Sequence, residues 1–133
     1  MKLNEKLKDW ISSLTPKGKK VVLWIWQAPQ NLLGLLVIFF SRARRIEPVG
    51  VWYTNCNFGV SLGNYIIVRK TCTDITVMHE RGHQKQSLML GPLYLLVIGL
   101  PSVLGNIARR AYSFNYYALP WEAWADRLGG VIR

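Results

Sequence analysis

The two histidines of this chain lie four residues apart, in the segment His79-Glu80-Arg81-Gly82-His83. Residues four apart share one face of an α-helix, so both imidazoles can bind the same metal ion. Glu80 projects about 100° away from His79 around such a helix, which leaves its carboxylate beside the ion, where it can polarise a water molecule. The H-E-x-x-H spacing therefore predicts a zinc site with a neighbouring general base. The alternative is a pair of helix-surface histidines.

A zinc ion that activates water takes three protein ligands and leaves a fourth position open. Because no third histidine exists, the third ligand must be one of the seven acidic residues. Four acids are unfavourably placed, on the histidine helix or before the predicted sheet: Asp74, Glu5, Asp9 and Glu47. Glu122 and Asp126 lie four apart on a predicted helix, so we expect Glu122 to bind the metal and Asp126 to accept the distal N–H of a ligating histidine. A solvated acidic pair beside Arg127 is the alternative.

The pattern H-E-x-G-H, followed by E-x-x-A-D-x-x-G, resembles the gluzincin metallopeptidases. The resemblance is closest to the integral-membrane group that contains the CAAX prenyl endopeptidases and the HtpX heat-shock peptidases. Besides Glu122 and Asp126, Ala125 and Gly129 match the second motif. The resemblance implies that His79, His83 and Glu122 are zinc ligands. It also implies that Glu80 is the catalytic base and that Asp126 orients a ligating histidine.

The composition of the 133 residues fits one domain rich in apolar side chains. Half of the residues are hydrophobic and only 18% are charged, against about 25% in ordinary soluble domains. This excludes intrinsic disorder and argues against a freely soluble protein. The net charge of +10 suits either nucleic acid or an anionic membrane surface. No zinc-finger, helix-turn-helix or RNP pattern is present, so we expect no nucleic-acid partner.

The segment Val21–Phe40 carries no charge and would form a helix roughly 30 Å long, the thickness of a hydrocarbon core. It is flanked by cations that anionic headgroups attract: Lys17, Lys19, Lys20, Arg42, Arg44 and Arg45. We therefore predict a transmembrane or deeply inserted helix. A buried helix of a soluble core is the alternative, since four residues at its middle suit lipid poorly: Gln27, Pro29, Gln30 and Asn31.

A second uncharged segment, Leu88–Ala108, is interrupted by Gly91-Pro92 and by Gly99-Leu100-Pro101. Glycine and proline end or bend helices, so two shorter helices are expected. A single crossing of a membrane here would place the two motifs on opposite sides, where their side chains could not share one ion. The sequence therefore favours a re-entrant or membrane-resting helical hairpin.

The rest of the chain predicts an α+β fold in one domain. Short apolar runs between Val49 and Val68, with a Gly63-Asn64 turn, indicate a small antiparallel sheet. Its segments Phe58–Leu62 or Tyr65–Val68 are candidates to align an extended peptide by edge pairing. The expected order is a basic segment 1–20, a membrane helix 21–40, the sheet 49–68, the H-E-x-x-H helix 73–88, broken helices 88–108 and a ligand helix 120–130.

These observations predict a small membrane-associated zinc metallopeptidase with one zinc ion, a peptide or membrane-protein substrate and a lipid bilayer as partner. A zinc-stabilised structural membrane protein and a metal-free adaptor are the alternatives. Asn115, Tyr116 and Tyr117 lie near Glu122 in sequence, but none is assigned to the oxyanion. Cys56 and Cys72 are expected to be free buried thiols, with a single disulfide as the alternative.

Overall fold

The computed structural model describes residues 2–47 and 50–133. Within these residues the fold is α+β, as predicted, with six α-helices and one four-stranded sheet. The elements are α1 (Leu3–Ser13), α2 (Pro16–Trp26), α3 (Ala28–Ser41), β1 (Arg44–Ile46), β2 (Val51–Thr54), β3 (Gly59–Leu62), β4 (Tyr65–Arg69), α4 (Asp74–Leu90), α5 (Leu100–Ala111) and α6 (Pro120–Gly129). Three short segments complete them: 3₁₀ turns at Gly91–Leu93 and Tyr116–Ala118, and a π-helical turn at Leu95–Gly99.

The apolar segment 21–40 is two helices rather than the single predicted one. Helix α2 ends at Trp26, α3 begins at Ala28, and the two axes are bent by 86°. The bend lies at Gln27, whose backbone leaves the helical region (φ −107°, ψ 18°). Pro29 has no N–H and would clash with the preceding turn of a continuous helix, so the segment cannot pass straight through this point.

The polar side chains at the bend are buried and hydrogen-bonded to other elements. The Gln30 amide donates to Ser87 Oγ and to the Gly91 carbonyl, both at 2.8 Å, and Ser87 Oγ donates to Gln27 Oε1 at 2.7 Å. Asn31 Oδ1 accepts a hydrogen bond from the backbone N–H of Asn64 at 2.8 Å. The bend is thus fastened to the end of α4 and to the β3–β4 turn.

The sheet has the strand order β1-β2-β4-β3 and is mixed, so the prediction of an antiparallel sheet is wrong for its central pair. Strands β2 and β4 are parallel, while β1–β2 and β3–β4 are antiparallel. The most apolar strand, β4, takes one of the two inner positions, where Ile66, Ile67 and Val68 are all buried. The two-residue turn at Gly63-Asn64 is confirmed, with Leu62 paired to Tyr65. Strand β1 was not predicted, and Val49 lies outside the described residues.

The second apolar segment also differs from its prediction in one place. The expected break at Gly91-Pro92 is present, and the helical segments Asp74–Leu93 and Leu95–Ala111 are bent by 119°. The expected break at Gly99–Pro101 is absent, since Gly99 and Leu100 keep helical dihedrals. Pro101 directly follows the π-helical turn Leu95–Gly99 and lies inside the helical segment Leu95–Ala111, which continues through it.

The apolar core lies between the sheet and α4, where Val51, Ile66 and Val68 pack with Val77 and Cys72. Both cysteines are free, as expected, but only Cys72 is partly buried and Cys56 is exposed. Among residues 2–47 and 50–133, no single helix is both long and apolar enough to cross a membrane, whereas the two bent pairs α2–α3 and Asp74–Leu93 with Leu95–Ala111 reach that length and hydropathy together.

Candidate metal centre

Helices α4 and α6 bring the two sequence motifs together. Helix α4 begins after Thr73 and has Asp74 in its first turn, where a negative charge favours the helix N-terminus. Helix α6 begins at Pro120 and ends at Gly129, followed by Gly130 in the left-handed conformation (φ 75°). The helices approach closely because Gly129 lies against the Met78 carbonyl, where a Cβ atom would overlap the oxygen.

Three buried side chains meet where these helices face each other. Glu122 Oε2 lies 3.0 Å from His79 Nε2 and 3.0 Å from His83 Nε2, and the two Nε2 atoms are 3.1 Å apart. A tetrahedral site with bonds of 2.0–2.1 Å has ligand atoms about 3.4 Å apart. The triangle is therefore close to the size that a metal ion requires, and the group of His79, His83 and Glu122 could hold one.

The tautomer of His79 follows from its neighbour Asp126. His79 Nδ1 lies 2.7 Å from Asp126 Oδ1. Arg133 donates to both oxygens of the same carboxylate, at 2.7 and 3.2 Å. Although burial opposes ionisation, the hydrogen bonds from Arg133 and His79 hold the pKa of Asp126 below its ordinary value. An ionised carboxylate only accepts, so His79 Nδ1 carries a proton, and a lone pair at Nε2 is free when the ring carries no second proton.

The tautomer of His83 is set in the same way by Gln86. His83 Nδ1 lies 2.6 Å from Gln86 Oε1, and Gln86 Nε2 donates to the Trp121 carbonyl at 2.9 Å. Because the carbonyl can only accept, the amide orientation is fixed and its oxygen faces His83. His83 Nδ1 is therefore the donor, and its Nε2 atom has a free lone pair when the ring is neutral.

Three acceptor atoms thus converge with no donor between them when both imidazoles are neutral. Such a cluster requires a cation at its centre, either a metal ion or a proton. A proton on either Nε2 would form a hydrogen bond to Glu122. Although burial opposes ionisation of Glu122, the hydrogen bonds to His79 and His83 hold its pKa well below the ordinary range. The pKa of His83 is raised although burial opposes it, because Glu122 favours the charged ring. Protons and a metal ion therefore compete for one place.

The second oxygen of Glu122 is held away from the histidines. Oε1 accepts hydrogen bonds from the Ser102 hydroxyl and from the Tyr116 hydroxyl, the latter at 2.9 Å. Burial and the nearby carboxylate raise the pKa of Tyr116, so this hydroxyl keeps its proton and acts as a donor. Glu122 consequently presents one oxygen to the triangle while two hydroxyls fix the other.

Glu80 lies beside the triangle without joining it. Its side chain is 6% exposed, and its Oε2 atom has no hydrogen-bond partner among the described residues. Burial raises the pKa of this carboxyl, and the two histidines partly oppose the increase. The position agrees with the arrangement that the H-E-x-x-H spacing predicts, since Glu80 borders the same cleft as His79 and His83.

The cleft in front of these residues has a volume of about 1000 Å³ and lies between β3, α4, α5 and the Tyr116–Ala118 turn. Strand β3 is an edge strand, so the predicted segment Phe58–Leu62 has a free edge at this cleft. The other predicted segment, Tyr65–Val68, is excluded because β4 is paired on both sides.

Three residues that support the site were not predicted from the sequence, Gln86, Ser102 and Arg133, and Tyr116 was considered there without an assigned role. Only Gln86 carries a local signal, because it lies three residues after His83 and shares its helix face. The three residues considered near Glu122 have separate contacts. Tyr116 donates to Glu122, Tyr117 packs edge-on against His79 at 5.2 Å between ring centroids, and the Asn115 side chain accepts the Tyr117 N–H.

Comparison of the chain with models of protein families, with curated proteins and with solved structures gives no match.

Proposed function

We propose that this protein is a small, membrane-associated zinc metallopeptidase. The observation that carries the proposal is the triangle of His79 Nε2, His83 Nε2 and Glu122 Oε2, in which three acceptors face one another at 3.0–3.1 Å. Two imidazoles and one carboxylate are the ligand set of several catalytic zinc sites, which keep a fourth position open. The order of the ligands, with two histidines from one helix and a glutamate from a later one, is also that of the gluzincin pattern that the sequence resembles.

A bound zinc ion in such a site supplies a water whose pKa is near 7 and polarises a carbonyl group as a Lewis acid. The chain supplies the proton transfers and the binding surface. Glu80 faces the cleft next to both histidines, with one oxygen unpartnered. We assign it the role of the general base that takes a proton from water and passes it to the leaving amine. The free edge of β3 holds the substrate extended by backbone hydrogen bonds.

The support for membrane association is an inverted distribution of side chains on α5. Its polar residues Ser102 and Asn106 face the cleft, while Leu104 and Ile107 point outward and are more than half exposed. A helix that packs on a soluble core has the opposite arrangement. Helices α2 and α3 add further exposed apolar residues: Val21, Ile25, Leu32, Leu36, Phe39 and Phe40. Exposed apolar patches of this kind, bordered by cations, suit an anionic membrane surface.

Metal analysis and peptide hydrolysis together test the function. Purified protein loaded with zinc should hold one equivalent and cleave peptides from a quenched-fluorescent library. The Glu80→Gln variant should retain its zinc and lose activity by about 10²–10⁴-fold, because glutamine keeps the shape but cannot accept a proton. His83→Ala should lose both zinc and activity. Glu5→Gln, an exposed change on α1, is the matched control and should alter neither.

Three results would contradict the proposal. The first is the absence of stoichiometric zinc after metal loading, and the second is full activity of Glu80→Gln. The third is a wild-type protein that holds zinc, cleaves no peptide and unfolds when zinc is removed. That last result would support the zinc-stabilised structural protein instead, because a structural site needs ligands but no base.

A further inference from the structure

Helix α5 places a row of polar side chains along one wall of the cleft. Ser102, Asn106, Arg109 and Arg110 all line it. Spacings of four and three residues place Ser102, Asn106 and Arg109 on one face of the helix, and the exposed Arg110 adjoins Arg109. Because Ser102 donates to Glu122 Oε1, the row begins at the metal centre and its register relative to that centre is fixed.

The two arginines of this row have no carboxylate partner among the described residues. Neither forms an ion pair with any acid in residues 2–47 and 50–133, whereas Arg45 and Arg133 each do. The Arg109 guanidinium lies 4.7 Å from the centroid of the Tyr116 ring, a cation–π contact that holds it at the cleft. The row therefore presents uncompensated positive charge, with one guanidinium already positioned.

Asn106 gives a second and independent indication of a ligand. Its Oδ1 atom is buried and has no hydrogen-bond partner in the described structure. Buried polar atoms are nearly always satisfied, so an unpaired one in a cleft wall marks a place where a bound molecule completes the bonding. An amide suits a peptide group, because it both donates and accepts. Among the described residues that line the cleft, the acidic residue is Glu80 and the basic ones are Arg69, Arg109 and Arg110, so the cleft carries more positive than negative charge.

We propose that Arg109 and Arg110 form a subsite that binds a carboxylate of the peptide substrate, and that Asn106 Oδ1 accepts a backbone N–H of the same peptide. The inference rests on the proposed function, since it places this subsite beside the peptidase centre. An α-helix rises 1.5 Å per residue, so the arginines lie about 10–12 Å beyond Ser102 along α5. An extended peptide advances about 3.3 Å per residue. The carboxylate therefore lies about three residues from the bond that is cleaved, where a guanidinium can bind both of its oxygens.

Two sources can supply this carboxylate: an acidic side chain or the free C-terminus of the peptide. Three forms of one labelled peptide separate them: internal Glu with an amidated end, internal Gln with a free end, and internal Gln with an amidated end. The same three forms are made for several peptides that differ in the position of the Glu or Gln residue. Binding is measured by fluorescence anisotropy on zinc-loaded Glu80→Gln protein, so that no cleavage interferes, and turnover is measured on wild type.

We expect one carboxylate form to bind about 10- to 100-fold more tightly than the neutral form, as charge-assisted hydrogen bonds allow. Arg110→Gln and Arg109→Gln should remove this preference without changing the binding of the neutral peptide. Arg110→Lys should restore part of it. Arg127→Gln, an exposed change on α6, should have no effect.

For a cleaved peptide, Arg110→Gln should raise KM and leave kcat unchanged. Zinc content verifies that each variant is folded.

Equal binding of all three peptide forms to wild type would overturn the proposal, as would an equal loss of all three in the arginine variants. It would also be overturned if these variants altered only binding to phosphatidylserine vesicles, because the arginines would then face lipid headgroups. Selective binding without cleavage would contradict the peptidase function but leave the subsite standing. Cleavage without selectivity for a carboxylate would support the peptidase function and contradict the subsite.

Discussion

Gly82 of α4 lies directly against the carbonyl oxygen of Ala125 on α6. A Cβ atom at position 82 would overlap that oxygen, and the contact is to backbone, which cannot rotate away as a side chain can. Gly82 stands between the two histidines in sequence, and Ala125 stands between Glu122 and Asp126. The small residues of both motifs therefore set the distance between the two helices, which in turn sets the distances among His79, His83 and Glu122.

Replacing Gly82 by alanine should separate these helices and damage the metal centre. Overpacking typically costs about 1–3 kcal/mol, and we expect the upper end because relief requires a whole helix to shift rather than one side chain. The variant should bind zinc far more weakly in a competition titration and unfold at lower urea concentration. Gly99→Ala is the matched control: its Cβ would make only ordinary contacts of 3.4 Å and longer. Alanine there favours the helix by up to about 1 kcal/mol. Equal zinc affinity of Gly82→Ala and wild type would contradict the spacing role.

Asp126→Asn should weaken zinc binding while preserving the fold. The amide has the same shape, but it accepts the His79 Nδ1–H less strongly and loses the charge that Arg133 binds. Loss of such an orienting partner typically costs about 10–100-fold in metal affinity or activity. Isothermal titration with a competing chelator measures the change, and Arg127→Gln on the same helix serves as control. An unchanged affinity would mean that Asp126 only anchors Arg133.

The sequence predicted the residues of the triangle because residues four apart on a helix share a face, which depends only on local spacing. The spacing of His79 and His83 fixes their common face, and so does that of Glu122 and Asp126. The supporting contacts of Ser102 and Tyr116 could not be predicted, since they depend on how α5 returns to the site after the 119° bend. No local pattern encodes that angle.

The fold shows the same division between local and long-range effects. The Gly63-Asn64 turn and the extent of α4 follow from neighbouring residues, and both agree with the sequence. The strand order does not, because β4 is inserted next to β2 to bury its three consecutive apolar residues on both faces. The polar residues at the middle of Val21–Phe40 indicated a conflict with a lipid-exposed span. Their buried partners on α4, such as Ser87, were not predictable from that segment.

Tyr116→Phe should reduce zinc affinity without disturbing the ring packing. The variant keeps the aromatic ring under Arg109 and removes only the hydroxyl that donates to Glu122 Oε1. Hydrogen bonds to charged groups contribute about 1.5–3 kcal/mol, so we expect a roughly tenfold to hundredfold weaker affinity. Ser102→Ala should have a similar effect, and the double variant a larger one. Tyr112→Phe, an exposed position, is the control. Wild-type affinity in the double variant would show that Glu122 needs no support at Oε1.

Replacing Phe39 and Phe40 by serine should release the protein from anionic vesicles. Both rings lie at the end of α3 and are about three-quarters exposed, 75% and 77%. Arg42 follows them and lies next to lipid headgroups if the rings insert. Burying one such side chain contributes about 1.5–3 kcal/mol, so each substitution should weaken partitioning about tenfold or more in a flotation assay with phosphatidylserine-containing vesicles. Zinc content should not change, because neither ring borders the metal centre.

Ile75→Ser, half exposed on the first turn of α4, is the control outside the apolar helices. If Ile75→Ser released the protein as strongly as the double variant, or if neither did, α3 would not be the membrane contact.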